Sequence, residues 1–402
     1  MQQALFTISI SLFVIYALLI TYYRQSWRSI SDFRFRISDF KPATKISVII
    51  PARNEAQNIG ACLQSIIVQS YAKEFFEVIV VDDHSTDNTA AVVTAFDLPN
   101  IKLIALKDFV TADQINSYKK KAIEIAIQQS TGELIVTTDA DCIVPANWLQ
   151  TIAAFYQEKK PAFIVMPVGI RLAANSNSPQ GEFLQIFQAL DFMTLQGITG
   201  ASVNKKMHSM CNGANLAYTK KAFVAVNGFT GIDTIASGDD MLLMHKIYKQ
   251  DPGSVLFLRS KEVIVQTQPV LTVKEFFNQR IRWASKADKY DDKRIFFVLL
   301  LVYLFNLLLV ILPVIAIFNN NIFAVRVYPI TLISSFFELW LFLLFAKTLV
   351  ELFFLFPVAK FFKKQQLLWW FPVMQPFHIV YTVIAGWLGK FGTYQWKDRN
   401  VK

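Results

Sequence analysis

Apolar and polar positions divide the chain into regions of different rhythm. Residues 1–23 form one charge-free apolar run. Between Lys45 and about Gln268, short β-branched runs alternate with segments of helical spacing. From Ile295 onward long charge-free stretches return. In the middle region Lys45–Pro51 (KISVIIP), Phe75–Val81, Ile101–Leu106 and Glu133–Thr138 read as strands. Asn54–Gln69, Thr86–Phe96 and Tyr118–Ser130 read as helices. Short strands alternating with helices of this length predict an α/β fold with a mostly parallel sheet covered on both faces.

The flanking regions read as transmembrane α-helices. The first run is followed by Arg24, Arg28, Arg34 and Arg36, with no charged residue before it and no small-residue cleavage site after it. That pattern predicts a retained signal anchor with the downstream side in the cytoplasm. Ile295–Val325 is charge-free, with Pro313 and an Asn319–Asn321 break near its end. Val327–Ala359 is apolar apart from Glu338, Lys347 and Glu351, which line a bundle interior or lie near an interface. Gln365–Gly389 is charge-free, and its Trp369, Trp370 and Trp387 suit the headgroup belt. One N-terminal and three C-terminal crossings would put Lys390, Lys397, Arg399 and Lys402 on the outside, against the charge rule. Either Gln365–Gly389 is re-entrant or interfacial, broken at Pro372 and Pro376, which is the preferred reading, or the charge rule fails here.

Composition sharpens this picture. Of 402 residues, 53% are hydrophobic and 17% charged, against roughly 25% charged in an average soluble domain. Disorder, collagen, a small disulfide scaffold and a wholly soluble enzyme are disfavoured. The 40 Lys+Arg against 30 Asp+Glu give +10. The basic residues cluster beside the apolar runs, so positive-inside bias explains them better than a nucleic-acid partner. Cys62, Cys142 and Cys211 are far apart, without metal-ligand spacing, and read as unpaired thiols in a reduced compartment.

Ligands of parallel sheets bind beyond the carboxyl ends of the strands. The first strand ends in Pro51-Ala52-Arg53-Asn54-Glu55, the second in Asp82-Asp83-His84-Ser85-Thr86-Asp87, and the fourth in Asp139-Ala140-Asp141. One such cluster reads as a helix N-cap, as Thr86 or Asp87 alone would. Three on one edge read as a site, and an acidic edge needs a cation before it can hold an anion. Asp139 and Asp141 share one side of an extended segment. Such a pair of hard oxygen ligands suits Mg²⁺ or Mn²⁺, with water and substrate phosphates completing the shell. Lys119, Lys120 and Lys121 open the preceding helix, either as a solvated face or with one of them reaching a diphosphate, a contact assigned to Lys120. The chain has no G-x-G-x-x-G, P-loop, G-x-S-x-G or H-E-x-x-H. His84, His208, His245 and His378 are scattered and read as structural. Phe276, Phe277, Ile281 and Trp283 beside Lys274, Arg280, Arg282 and Lys286 read as an amphipathic helix on a membrane surface.

In order and spacing these motifs resemble those of family 2 glycosyltransferases with the GT-A fold. The matches are Pro51–Glu55 (PARNE), Asp82–Thr89 (DDHSTDNT), D-x-D at Asp139/Asp141, Gly213–Tyr218 (GANLAY) and Asn227-Gly228-Phe229 for the usual G-G-F. Ser237-Gly238-Asp239-Asp240 stands for [TGS]-E-D, and Gln279–Trp283 fits Q-x-x-R-W. The resemblance covers roughly Lys45–Arg294 and implies inverting sugar transfer from a nucleotide-diphosphate donor, usually a UDP-sugar. It implies that Pro51, Arg53 and Glu55 lie near the nucleoside and that Asp82 or Asp83 contacts the uracil or ribose. Asp139 would orient the donor, Asp141 would hold the metal bridging the diphosphate, and Asp240 would be the general base. Asp239 replaces the usual Glu, so both acids are catalytic candidates. Gln279, Arg282 and Trp283 would serve the pyrophosphate and the acceptor.

The implied division is a transmembrane helix at 1–23, a juxtamembrane linker at 24–44 and a GT-A domain at 45–270. An interfacial segment at 271–294 and a C-terminal transmembrane region at 295–402 follow. Q-x-x-R-W beside membrane helices is similar to cellulose, hyaluronan and poly-N-acetylglucosamine synthases, which implies processive polysaccharide synthesis. It is also similar to ceramide glucosyltransferase, which adds one sugar to a lipid. Expected partners are a UDP-sugar donor, a saccharide or lipid-linked acceptor, membrane lipid and additional export subunits, with no nucleic acid. The expected location is the cytoplasmic membrane, multi-pass, with the catalytic domain facing the cytoplasm.

Overall fold

In a computed structural model of the chain the described residues are 2–35, 40–110, 117–172, 179–207, 210–235, 238–286, 292–318, 335–391, 394–396 and 399–401. Arg36, His208, Ser237, the Asn319–Asn321 break, the start of the Val327–Ala359 run, Lys397 and Lys402 lie outside them. The chain divides into two compact units. A helical unit takes Met1–Ser29, Ala173–Gly197 and Val270–Lys402, and a sheet unit takes Ile30–Leu172 and Ile198–Pro269.

In chain order, α1 (Gln2–Ser29) is followed by β1 (Ile46–Ala52), α2 (Ile59–Ile67), β2 (Phe76–Asp82), α3 (Thr89–Thr94), β3 (Ile101–Ala105), α4 (Tyr118–Gln129) and β4 (Leu134–Thr137). Then come α5 (Trp148–Lys159), β5 (Phe163–Val165), β6 (Val168–Ile170), α6 (Pro179–Asn204), β7 (Leu216–Thr219), α7 (Lys220–Ala225), α8 (Met241–Gln250), β8 (Val255–Phe257) and β9 (Val265–Thr267). The chain continues with α9 (Val273–Ala284), α10 (Lys293–Phe318), α11 (Phe336–Phe362) and α12 (Phe371–Phe391).

The sheet runs β3-β2-β1-β4-β7-β5-β8. β1 is parallel to β2 and β4, and β2 to β3, whereas β7 lies antiparallel between β4 and β5. β2 and β4 are buried throughout and β1 nearly so, which is why their sequences are continuous β-branched runs rather than alternations. Asp82 pairs with Ala52 and Thr137 with Ile49, so three parallel strands deliver their following residues to one end of the sheet.

Two family-like motifs serve the packing. Trp148 is fully buried and its Nε1–H donates to Asn215 Oδ1 at 3.0 Å. The Asn215 amide donates to the carbonyls of Pro167 and Val263 at 2.8 and 2.7 Å. Asn215 therefore joins three chain segments in the core. In the Asn227–Phe229 turn, Gly228 has φ +49°, and a Cβ there would stand 2.7 Å from Phe223 Cζ. Only glycine accepts both the conformation and the ring. At the opposite end of β2 from Asp82, Glu77 accepts from Ser47 Oγ (2.7 Å), Thr131 N (2.6 Å) and Lys102 Nζ (2.8 Å). Burial pushes its carboxyl up, but these donors outweigh it and hold the group down at about 2.

In the helical unit, α1 extends to Ser29 and carries Arg24, whose guanidinium sits 3.5 Å over the Phe353 ring. Among the described residues four helices are long and apolar enough to cross a bilayer: Gln3–Ser29, Lys293–Phe318, Phe336–Phe362 and Gln365–Phe391. The charges within the third are placed by role. Glu338 closes a capping box with Ser335 at the start of α11. Lys347 and Glu351 are buried, with Lys347 Nζ 2.7 Å from Glu351 Oε1 and 2.9 Å from Gln375 Oε1. Tyr16 of α1 and the Gln375 amide also donate to Glu351.

The expected break at Pro372 and Pro376 is corrected, because α12 runs unbroken through both. Pro372 lies in the first turn, where its missing N–H has no intrahelical acceptor to lose. Pro376 forfeits one bond near that same end.

Candidate active site

The loops after β1 and β2 are tied to each other. Asn54 and His84 both adopt left-handed backbone, with φ 53° and 54°. Asn54 Oδ1 accepts from Thr86 N at 2.9 Å, and Asn54 N donates to Ser85 Oγ at 3.0 Å. Glu55 N donates to Thr89 Oγ1 (2.8 Å), and Ala56 N to Asp87 Oδ2 (3.1 Å). Arg53 NH1 donates to the Asp83 carbonyl at 3.0 Å, and Asp83 Oδ1 lies 3.0 Å from His84 Nδ1. PARNE and DDHSTDNT are thus two halves of one hydrogen-bonded rim. Pro51 stays in the strand, opposite Val81. Asp82 is buried, and its Oδ1 has no partner among the described residues.

Beside this rim stand the acids that follow β4. Asp141 accepts from Thr267 Oγ1 at 3.2 Å and from the Cys142 thiol at 3.5 Å. Burial, then the charges of Asp139 and Glu55, push its carboxyl up to about 6. Lys119 Nζ lies 2.7 Å from Asp139 Oδ1 and 3.3 Å from Asp239 Oδ2. Burial opposes its charge, but Asp139 and Asp239 more than restore it, so its pKa is raised.

Lys120 is a correction to the sequence reading. Its buried ammonium donates to the Ile232 and Ile235 carbonyls, both at 2.6 Å, and fastens the loop that leads to Asp239. Lys119, one position earlier, faces the acids. Three consecutive lysines look alike in sequence, and only the rotation of α4 separates them. Thr267 and Gly213 went unnoticed as parts of the site. Thr267 sits on a strand too short to leave a pattern. Gly213, although inside a quoted motif, shows its role only through its neighbours.

Asp240 caps α8, with Oδ1 accepting from Met241 N (2.7 Å) and Oδ2 from Gly213 N (3.0 Å). A Cβ on Gly213 would stand 3.2 Å from Asp239 Oδ2 and 3.3 Å from Lys119 Nζ. A side chain at Gly213 would therefore press on Asp239 and Lys119 by a few tenths of an ångström.

Gln279, Arg282 and Trp283 belong to the helical unit, on α9. That helix opens with a Thr272–Glu275 capping box and buries Phe276, Arg280 and Ile281. The Trp283 ring lies 6.1 Å from Phe192 of α6.

Among the described residues no group of three or more His, Cys, Asp or Glu is arranged to hold a metal. Asp139 and Asp141 nonetheless fit a shared one. They supply hard oxygens, and the mutual repulsion felt by Asp141 is what a divalent cation offsets. Two carboxylates, with water and phosphate oxygens completing the shell, are the arrangement Mg²⁺ and Mn²⁺ accept.

Residues 47–223 match the family described as glycosyl transferase family 2. The glycosyltransferase AglE of Haloferax volcanii is 36% identical over 105 residues, 26% of this chain and 33% of AglE. The beta-monoglucosyldiacylglycerol synthase of Synechocystis is 23% identical over 248 residues, 61% of this chain and 48% of the synthase. The matched stretches thus span between a third and about half of these relatives. The solved mannosyltransferase PcManGT from Pyrobaculum calidifontis, in complex with GDP-Man and Mn²⁺, superposes with a TM-score of 0.52 at 18% identity. That superposition covers 93% of this chain and 99% of the other, a likeness of fold. Joined to the matched stretch, the parallel-dominated sheet with its acidic edge makes residues 47–223 a domain of glycosyl transferase family 2 with the GT-A fold.

Proposed function

We propose that the chain transfers a sugar from a nucleotide-diphosphate donor, a UDP-sugar, to a hydroxyl acceptor at a membrane, with inversion at the anomeric carbon. The observation that carries the reading is the Lys119 ammonium held between Asp139 and Asp239, next to Asp141 and Asp240, at the carboxyl end of the parallel strands. Asp82, with a buried unpartnered oxygen, accepts an N–H or hydroxyl of the nucleoside. Lys119 exchanges its carboxylate partners for the diphosphate. A divalent cation bound by Asp139 and Asp141 would offset charge on the leaving diphosphate as a Lewis acid.

Asp240 is the general base. Each of its oxygens accepts one backbone N–H and keeps a lone pair for the acceptor proton. The acceptor oxygen attacks the anomeric carbon, its proton passes to Asp240, and the nucleoside diphosphate departs with the electrons of the broken C–O bond. Arg282 adds positive charge at the pyrophosphate, and Trp283 offers a ring face to the acceptor. Both roles rest on the Q-x-x-R-W resemblance.

The four apolar helices support a membrane-bound enzyme. The arginines that close α1 support a cytoplasmic sheet unit. The 248-residue likeness to a glycolipid synthase favours a lipid acceptor and a single addition over polymer synthesis. Purified protein incubated with radiolabelled UDP-sugars and GDP-mannose, Mn²⁺ or Mg²⁺ and extracted membrane lipid tests this reading. One labelled sugar on lipid is expected, and a ladder of products replaces the lipid reading with polymerisation. Neither transfer nor donor hydrolysis with any donor overturns the proposal.

A further inference from the structure

We propose that Asp191 and Arg280 are positioning residues for the Gln279–Trp283 motif, the buried carboxylate of α6 fixing the Trp283 ring and the Gln279 amide through Arg280. The functional weight of this inference rests on the acceptor-side reading of that motif. Its geometry stands independently of that reading.

Arg280 occupies one of the two unspecified places in Q-x-x-R-W, yet it touches both neighbours that the motif names. Its guanidinium carbon lies 4.2 Å from the Trp283 ring centroid and 4.7 Å from that of Phe276. Its NH1 donates to Gln279 Oε1 at 3.0 Å. The remaining charge is met by Asp191, 2.6 Å from NH2, and both side chains are only 4% exposed. Tyr381 of α12 donates its hydroxyl to Asp191 Oδ1 at 2.5 Å, and His378 Nε2 stands 3.7 Å from the same oxygen. Phe187, Phe276 and Tyr381 close around the pair, with ring centroids 5.3 to 5.6 Å apart.

A guanidinium this deeply buried persists only with a partner charge, so Asp191 is what allows Arg280 to be there. The planar cation then restrains the indole by stacking and the amide by hydrogen bonding, two things an ammonium cannot do together. A pair that merely tied α6 to α9 would be indifferent to where the Trp283 ring lies.

The test labels the full chain in detergent micelles with 5-fluorotryptophan and assigns the Trp283 resonance by its loss in Trp283→Phe. Asp191→Asn and Arg280→Lys are each expected to shift or broaden that resonance and leave those of the other tryptophans in place. Should these variants misfold, the paired apolar replacement Asp191→Leu with Arg280→Met removes both charges together and is expected to displace Trp283 alone. A Trp283 resonance unmoved in a folded variant overturns the proposal. So does collapse of every tryptophan resonance in both sets, which marks a purely structural tie.

With extracted membrane lipid as acceptor, Asp191→Asn is expected to raise the acceptor KM about tenfold at unchanged donor KM. Equal change in both contradicts positioning. If the wild-type chain transfers no sugar, the functional reading fails while the resonances still decide the geometry.

Discussion

Replacing Asp141 by Asn is expected to stabilise the ligand-free protein while abolishing cation-dependent donor binding. The Asp141 carboxyl is pushed from 3.8 to about 6, by burial first and by Asp139 and Glu55 next. At about 1.4 kcal/mol per pH unit, the gap corresponds to a penalty of about 3 kcal/mol on the folded state. The sign follows from proton linkage. Below pH 4 folded and unfolded chains both hold the proton and no penalty exists. Between about pH 4 and 6 the unfolded chain releases it first, and above pH 6 the folded chain carries the full penalty. Asn keeps the shape and the polar contacts to Thr267 and Cys142 without the charge. The assay is thermal unfolding of wild type and Asp141→Asn in EDTA from pH 4 to 7.5, with calorimetry of Mn²⁺ and UDP-sugar binding alongside. The variant should melt several degrees higher at pH 7, with the two curves meeting near pH 4. A variant that melts lower at pH 7, or a gap that does not change with pH, would refute the account of a carboxylate held against its neighbours for the sake of a cation.

Glu77 should behave oppositely. Its carboxyl, held from 4.5 down to about 2, contributes about 3 kcal/mol that is complete above pH 4.5 and disappears as pH falls toward 2. Glu77→Gln should therefore lose stability at pH 7 and show a flatter acid limb, read by unfolding from pH 2 to 7. Asp240→Asn should leave donor affinity within about twofold in calorimetry while transfer falls at least a hundredfold, and normal transfer would remove Asp240 as base. Gly213→Ala, which crowds Asp239 and Lys119 by a few tenths of an ångström, should cut kcat about tenfold with an unchanged melting temperature. Unchanged kcat would show that the acids and Lys119 move aside freely.

The part of the fold legible in the sequence is the parallel part. β1, β2 and β4 are buried on both faces, so they appear as dense β-branched runs, and their ends carried the acids into view. Beyond Thr138 the strands shrink to three or four residues, as in Phe163–Val165 and Leu216–Thr219, too few to establish a period. One of them, β7, also runs against both its neighbours, which no local pattern records. The site divides in the same way. Asp139 and Asp141 were readable from their place just after β4, but they sit in a turn closed by Cys142 N on the Asp139 carbonyl at 3.1 Å, not on the extended segment that alternation suggests. Lys119 and Lys120 were not separable, since both lie beside buried positions of α4 and their directions depend on what the loop at Ile232–Ile235 offers. Arg280 was visible only as a basic residue of an amphipathic helix, because its partner Asp191 is remote in sequence.

Lys347 and Glu351 stand one turn apart on the same helix. Their bond closes within the helix, so α11 carries this ion pair already compensated, whichever helices pack on it. Tyr16 and Gln375 then add only neutral donors and acceptors. A lone buried ion would demand a charged partner from another helix, whereas this pair asks its neighbours only for neutral groups.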